Sequence, residues 1–323
     1  SQVFRVRPDG SDAEEVLRGG DIGSVLDFDV SPDRSRIAVV VSRLAPGDDS
    51  EFDLVLVDAT GGVPTDFAAT DPGAMPDVLE VRWSPDGTGV AVTASQAGQD
   101  GTSYRYLAFV QEGGTPTSLT PIDDSPEQNP RWSSDGRTIA FLSRPSPAAA
   151  AQLHLVERDG SDRRKITEEG AVEATVWSPV DDALVFTSWR DENFETDGSL
   201  YLLEPGRGDD YALLLATSLD RIDPVARSWS PDGQWIAVVA RDENGVRNVH
   251  LVSADGDEAT LLLSTTGDLD DPTFSADGRH VVAAGTDGYL RIAEVGGEWT
   301  GRIAAAGTGT DKRRVAWVTL PGG

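Results

Sequence analysis

Trp83-Ser84-Pro85-Asp86-Gly87, followed closely by the apolar stretch Val90-Ala91-Val92, is the phrase on which the fold of this chain turns. Near copies stand at Val30-Ser31-Pro32-Asp33-Arg34, Trp132-Ser133-Ser134-Asp135-Gly136, Trp177-Ser178-Pro179-Val180-Asp181, Trp229-Ser230-Pro231-Asp232-Gly233 and Phe274-Ser275-Ala276-Asp277-Gly278. Their serines are 53, 49, 45, 52 and 45 residues apart, a period expected when each repeat is one four-stranded blade of a β-propeller. The phrase has a physical reason. Proline presets φ at the second turn position, Ser and Asp side chains bond local amides, and Gly tolerates the conformation that closes the hairpin. The serines are therefore read as turn residues and not as nucleophiles.

Residues 127 to 169 show one whole repeat. Gln128 to Trp132 reads as a first strand. Thr138-Ile139-Ala140-Phe141-Leu142 follows the turn as a continuous apolar run, the mark of a strand covered on both faces. Leu153-His154-Leu155-Val156 makes a third strand ending in the hairpin signal Arg158-Asp159-Gly160-Ser161, and Arg163 to Thr167 the fourth. The other repeats follow the same order, and helical periodicity is nowhere sustained, so the chain reads as all β. The aromatic before each turn is expected to wedge between adjacent blades.

The two ends of the chain carry fragments of one more repeat. Val3-Phe4-Arg5-Val6-Arg7-Pro8-Asp9-Gly10-Ser11-Asp12 matches the third-strand phrase at 153 to 162, and Arg314-Val315-Ala316-Trp317 resembles another first strand. The expectation is a single propeller over residues 1–323, with 1–20 and 312–323 closing one composite blade, which would leave no free sheet edge at the join. Counting favours seven blades, one of them incomplete, with six as the alternative.

Composition narrows the functions. The 55 acidic and 27 basic residues give a net charge of -28, a field that repels phosphate backbones and anionic membrane surfaces and suits basic partners. Cysteine is absent, which excludes disulfides and thiolate metal sites. No run of eighteen apolar residues occurs in the sequence as given, so no membrane insertion is expected of this segment.

The Trp-Ser-Pro-Asp-Gly phrase, the apolar strand after it and the later Asp-Gly hairpin together resemble the TolB-like (PD40, WD40-like) β-propellers of bacteria, over nearly the whole chain. The acidic, arginine-rich style is also similar to the propellers of actinobacterial LpqB-like lipoproteins and sensor ectodomains. Such a resemblance implies fold more than function, because the repeat family includes partner-binding envelope proteins, sensor ectodomains and the propeller halves of serine peptidases. It implies a periplasmic or extracytoplasmic setting, with a lipoprotein or membrane-anchored full-length form. The chain departs from TolB itself in showing no counterpart of that protein's separate α/β domain.

Chemistry-bearing groups are few. A peptidase of the prolyl oligopeptidase type needs a Gly-x-Ser-x-Gly elbow with Asp and His after it, and the sequence has none. His154 and His250 share a repeat slot that an aromatic, Phe4, fills elsewhere, and His280 begins a second strand; all three read as structural. Asp191-Glu192-Asn193, Asp255-Gly256-Asp257 and Asp268 to Asp271 do not fit an EF-hand loop. No cofactor is therefore expected, a loop-bound calcium ion being the alternative.

Binding is expected on the face of long, unlike loops at 44–51, 71–78, 97–103, 121–129, 144–151, 189–198 and 218–223. The starts of the first strands sharpen this. Three residues before each anchor, and one residue before it, stand Asp27 and Asp29, Glu80 and Arg82, Asn129 and Arg131, with Asp271 three residues before Phe274. Period two puts each pair on one side of its strand, so these seven residues are the candidate partner-binding row at a channel mouth. The chain reads as a monomeric, non-catalytic propeller binding a protein or peptide. The alternatives are a ligand-sensing ectodomain and a propeller enzyme or detached peptidase gate.

Overall fold

The computed structural model describes residues 2–5, 14–18, 23–44, 50–67, 77–98, 102–123, 125–146, 148–189, 198–205, 208, 210–214, 219, 222–297 and 300–304. They form strands and turns without helix, and no helix is long and apolar enough to cross a membrane among them. The fold is a β-propeller of four-stranded antiparallel blades, in two compact units of three complete blades each.

The first unit opens with a two-stranded sheet, β1 (Gln2–Arg5) and β2 (Glu14–Arg18). Blade 1 follows as β3 (Ser24–Val30), β4 (Arg36–Leu44), β5 (Ser50–Asp58) and β6 (Thr65–Asp66). Blade 2 is β7 (Asp77–Trp83), β8 (Gly89–Ala97), β9 (Ser103–Gln111) and β10 (Thr117–Ser118). Blade 3 is β11 (Glu127–Trp132), β12 (Thr138–Ser143), β13 (Gln152–Glu157) and β14 (Arg164–Lys165).

The second unit continues with blade 4, β15 (Ala171–Trp177), β16 (Leu184–Trp189), β17 (Ser199–Leu203) and β18 (Tyr211–Leu213). Blade 5 is β19 (Ile222–Trp229), β20 (Trp235–Arg241), β21 (Arg247–Ser253) and β22 (Ala259–Leu263). Blade 6 is β23 (Leu269–Phe274), β24 (His280–Gly285), β25 (Tyr289–Glu294) and β26 (Thr300–Ala304). Every blade is an up-and-down meander whose strands pair in chain order.

The second strands are covered on both faces, as their unbroken hydrophobicity requires: Ala38 to Val41 and Ile236 to Val239 are fully buried. Within each unit, cores lie between consecutive blades. Ala38, Val40 and Phe67 of blade 1 pack on Val81, Trp83 and Val92 of blade 2, and Val185 and Leu200 of blade 4 on Trp229, Ile236 and Val238 of blade 5. The aromatic anchors are buried as expected, and Trp132 and Trp229 hold equivalent seats. The indole N–H of Trp132 donates to the Arg82 carbonyl at 3.1 Å, and that of Trp229 to the Val176 carbonyl at 3.3 Å, in each case the residue before the preceding blade's anchor.

Among the described residues the complete blades number six, the alternative count, and the extra sheet is half a blade. Val3, Val16 and Leu17 cover Ile37, Val39 and Val55 of blade 1. A Cβ added to Gly61, the hairpin glycine of blade 1, would face the Val16 carbonyl at 3.6 Å, just as one on Gly160 of blade 3 would meet the Leu119 carbonyl of blade 2 at 3.2 Å. Relative to blade 1, β1–β2 thus occupies the seat of a preceding blade's outer strands. The segments 6–12 and 314–317, assigned from sequence to that same blade, lie outside the described residues, as do much of the loops 44–51, 71–78, 189–198 and 218–223.

Candidate functional site

Five of the six turn serines are spent on the aspartate of their own turn. Ser31, Ser84, Ser133, Ser230 and Ser275 donate from Oγ to Oδ1 of the aspartate two residues on, at 2.5 to 2.7 Å. The same oxygens accept the amides of Arg36, Gly89, Thr138, Trp235 and His280 at 2.9 to 3.3 Å. The Ser31 hydroxyl, followed by the Ser35 hydroxyl and amide, holds the Asp33 pKa down to about 2. Asp232 and Asp277 are lowered in the same way, first by Ser230 and Ser275.

The histidines stay apart. His154 on β13 lies opposite Phe141, with ring centroids 5.4 Å apart. His250 on β21 lies opposite Val238, and burial lowers its pKa. His280 begins β24. Among the described residues no three His, Cys, Asp or Glu side chains converge in a way that could hold a metal ion.

The candidate binding row of the first unit is a set of staples between neighbouring first strands. A first strand has a ladder on one edge only, so alternate amides on its other edge need acceptors. Asp27 of β3 supplies one: its Oδ2 accepts the Val81 amide at 3.1 Å and the Arg82 Nη1 at 2.5 Å, both side chains being only about a tenth exposed. Asp29 accepts the Trp83 amide at 2.8 Å. One blade on, Glu80 Oε2 accepts the Asn129 amide at 2.6 Å and the Thr93 hydroxyl at 2.7 Å. Arg131 donates to the Pro130 carbonyl at 2.8 Å. The geometry brings together Asp27 with Arg82 and Glu80 with Asn129, and it orients fixed charges along consecutive first strands.

Period two holds within β3 and β7, where Asp27 and Asp29 pair with Val40 and Ala38, and Glu80 and Arg82 with Thr93 and Ala91. In β11 and β23 the alternation breaks at this level. The register shifts between Gln128 and Arg131 and between Asp270 and Thr273, and Asn129 and Asp271 take left-handed φ of 61° and 50°. Every first strand carries a register shift; in β11 and β23 it falls on the candidate position, directly before a proline whose missing N–H cannot extend the ladder. Asp271, in the second unit, bonds locally through its amide to Asp270 Oδ1 at 2.9 Å.

Sequence reasoning missed the cations on the turn side. Arg158 lies 4.6 Å over the Phe109 ring and 5.6 Å from the Trp132 ring, and pairs with Asp86 Oδ2 at 2.6 Å. Arg36 lies 5.4 Å over Trp83 and pairs with Glu112 at 2.5 Å. Each joins adjacent blades through a non-local contact that nothing in the local phrase announces.

The chain matches no family model. It is 29% identical over 221 residues to YuxL of Bacillus subtilis, named an uncharacterised peptidase; the match takes in 67% of this chain and 30% of YuxL. The structure of TolB from Acinetobacter baumannii superposes with a TM-score of 0.55 at 20% identity, over 80% of this chain and 61% of TolB. The fold is that of the TolB-like β-propellers. A puromycin hydrolase shares it, with a TM-score of 0.71 at 17% identity over 95% of this chain and 50% of the hydrolase. The TolB-like propeller therefore recurs both in TolB and in part of a longer hydrolase, and the turn phrase that carries the likeness belongs to scaffold chemistry.

Proposed function

We propose that this chain is a non-catalytic binding propeller that engages a protein or peptide, a basic segment by preference, in the bacterial cell envelope, and that it works without a cofactor. The observation that carries the reading is the row in which Asp27, Asp29 and Glu80 staple Arg82 and the amides of Val81, Trp83 and Asn129: fixed charges at the first-strand starts of a rigid scaffold, in a chain of net charge -28. The turn serines, occupied by their aspartates, support a structural role for the most visible motif. The extracytoplasmic setting rests on the likeness to TolB. The test is equilibrium binding of the folded chain to peptide arrays of basic, neutral and acidic composition at two salt concentrations. Retention of basic peptides that weakens with salt is expected; equal retention of all three classes, or turnover of any of them, overturns the reading.

A second reading is favoured by one observation, the match to YuxL. In it the chain is the propeller of a peptidase and binds peptide on its way to a hydrolase. The complete gene decides between the two: a neighbouring Gly-x-Ser-x-Gly hydrolase domain selects the peptidase, and its absence selects the envelope binder.

A further inference from the structure

One residue of the first unit is out of place in its repeat. Val25, Val78, Glu127, Val172, Ile222 and Leu269 are equivalent, each pairing with the fourth residue past the anchor's partner on the second strand: Val41, Ala94, Ser143, Ser188, Ala240 and Gly285. Five are aliphatic, and the sixth is a glutamate with no exposed surface. Its Oε1 accepts the Arg163 Nη2 at 2.8 Å, while its Oε2, equally buried, has no hydrogen-bond partner. A half-satisfied carboxylate in a slot shaped for Val or Leu is costly when charged.

Its surroundings come from several elements. Ser143 of β12 faces it across the ladder. From blade 2 come the Thr120 hydroxyl and the Leu107 amide, which bond each other at 2.9 Å. The charged groups acting on it are Arg163, ahead of β14, and Asp123, in the segment before β11. Burial pushes the Glu127 pKa up to about 7, with the Asp123 carboxylate adding to the rise; Thr120, Arg163 and the Leu107 backbone oppose it.

We propose that Glu127 is a proton-operated latch between blades 2 and 3: neutral, it fills the slot as an aliphatic residue does elsewhere, and ionised, it draws in water and loosens segment 119–126 from β11. The sign follows from linkage. The folded pKa lies above the ordinary glutamate value of 4.5, so the folded chain holds a proton that the unfolded chain releases. The stabilisation is complete below the ordinary value and is lost as pH rises through 7.

The experiment compares urea unfolding of the whole chain and of Glu127→Gln at pH 5.5 and 8.5. The wild type should lose roughly thirtyfold in its folding constant relative to the variant between these two conditions. Every other ionisable group is common to the two proteins, so its contribution cancels. Parallel profiles, or a wild type that gains stability with rising pH relative to the variant, overturn the latch. Should Glu127→Gln not fold, Glu127→Leu, the residue type of the blade 6 slot, takes its place. Carbon NMR of glutamate-labelled wild type is independent of either variant: one side-chain carboxyl titrating above pH 6 is expected, and none doing so overturns the proposal. Amide exchange over 119–131, corrected for its intrinsic pH dependence, should quicken at pH 8.5 in the wild type; no change there also overturns it.

Discussion

The two units share a repeat and differ in how they satisfy its weakest edge. In the first, carboxylates of one blade reach the first-strand amides of the next: Asp27 to Val81, Asp29 to Trp83, Glu80 to Asn129. In the second, the positions one and three residues before the anchors of blades 4 and 5 are Val176 and Ala174, and Ser228 and Ala226, none of them acidic. There the Ser228 hydroxyl accepts the Phe274 amide at 3.4 Å. Outer strands differ in the opposite sense: β6, β10 and β14 have two residues each, whereas β22 and β26 have five. The lesson is that a propeller repeat fixes turn and core while leaving the first-strand edge free to vary, and that edge is where the first unit gathers its fixed charge.

What the units share should give the largest effects. Trp132→Ala and Trp229→Ala each remove a buried indole that also donates to the preceding blade, and each is expected to cost about 3–5 kcal/mol. Urea unfolding with tryptophan fluorescence and circular dichroism as paired probes measures this. A loss below about 1 kcal/mol in one unit only would break the equivalence of the two seats.

What separates the units comes next. Asp27→Ala leaves Arg82, about a tenth exposed, without its ion-pair partner and the Val81 amide without its acceptor; the expected loss is about 3 kcal/mol. Ser228→Ala, at the less tightly bonded edge of the second unit, should cost less than about 1 kcal/mol. Adding Arg82→Met to Asp27→Ala should recover part of the loss, because the stranded charge goes with it. Equal costs for the two single variants would erase the contrast between the units.

Much of this could be seen in the amino-acid order, and the rest has identifiable reasons for being hidden. The blade and its turn are written locally: Ser84, Pro85, Asp86 and Gly87 carry their own hydrogen-bond partners, and Val90 to Val92 their own burial. Outer strands are not, because a strand paired on one edge needs little hydrophobic pattern; Arg163 to Thr167 reads as a strand, yet only Arg164 and Lys165 join the ladder. The register shift that every first strand carries is hidden from a period-two reading, because the extra residue has no residue type of its own; in β11 and β23 it falls on the candidate positions Asn129 and Asp271. The candidate positions are legible in the sequence, but the staples made by Asp27, Asp29 and Glu80 are not, since an acceptor some fifty residues from its donor leaves no local signal; Asp27 and Val81 are 54 apart.

The smallest effect tests the claim that the turns are alike on both sides of the comparison. Asp33 in the first unit and Asp232 and Asp277 in the second each owe their lowered pKa first to the serine two residues earlier. A depressed carboxylate contributes stability that is present above its ordinary pKa and is lost as pH falls through the folded value, so for Asp33 the window runs from the ordinary 3.8 down to about 2. Ser31→Ala and Ser230→Ala should each move the paired aspartate back towards its ordinary value, as read by carboxyl NMR titration, with native β structure retained at neutral pH because these aspartates lie at the surface. Matching shifts in the two variants place the turn chemistry in the repeat itself and confine the difference between units to the first-strand edge. A shift confined to Asp33 would mean that the likeness of the phrases conceals two kinds of turn.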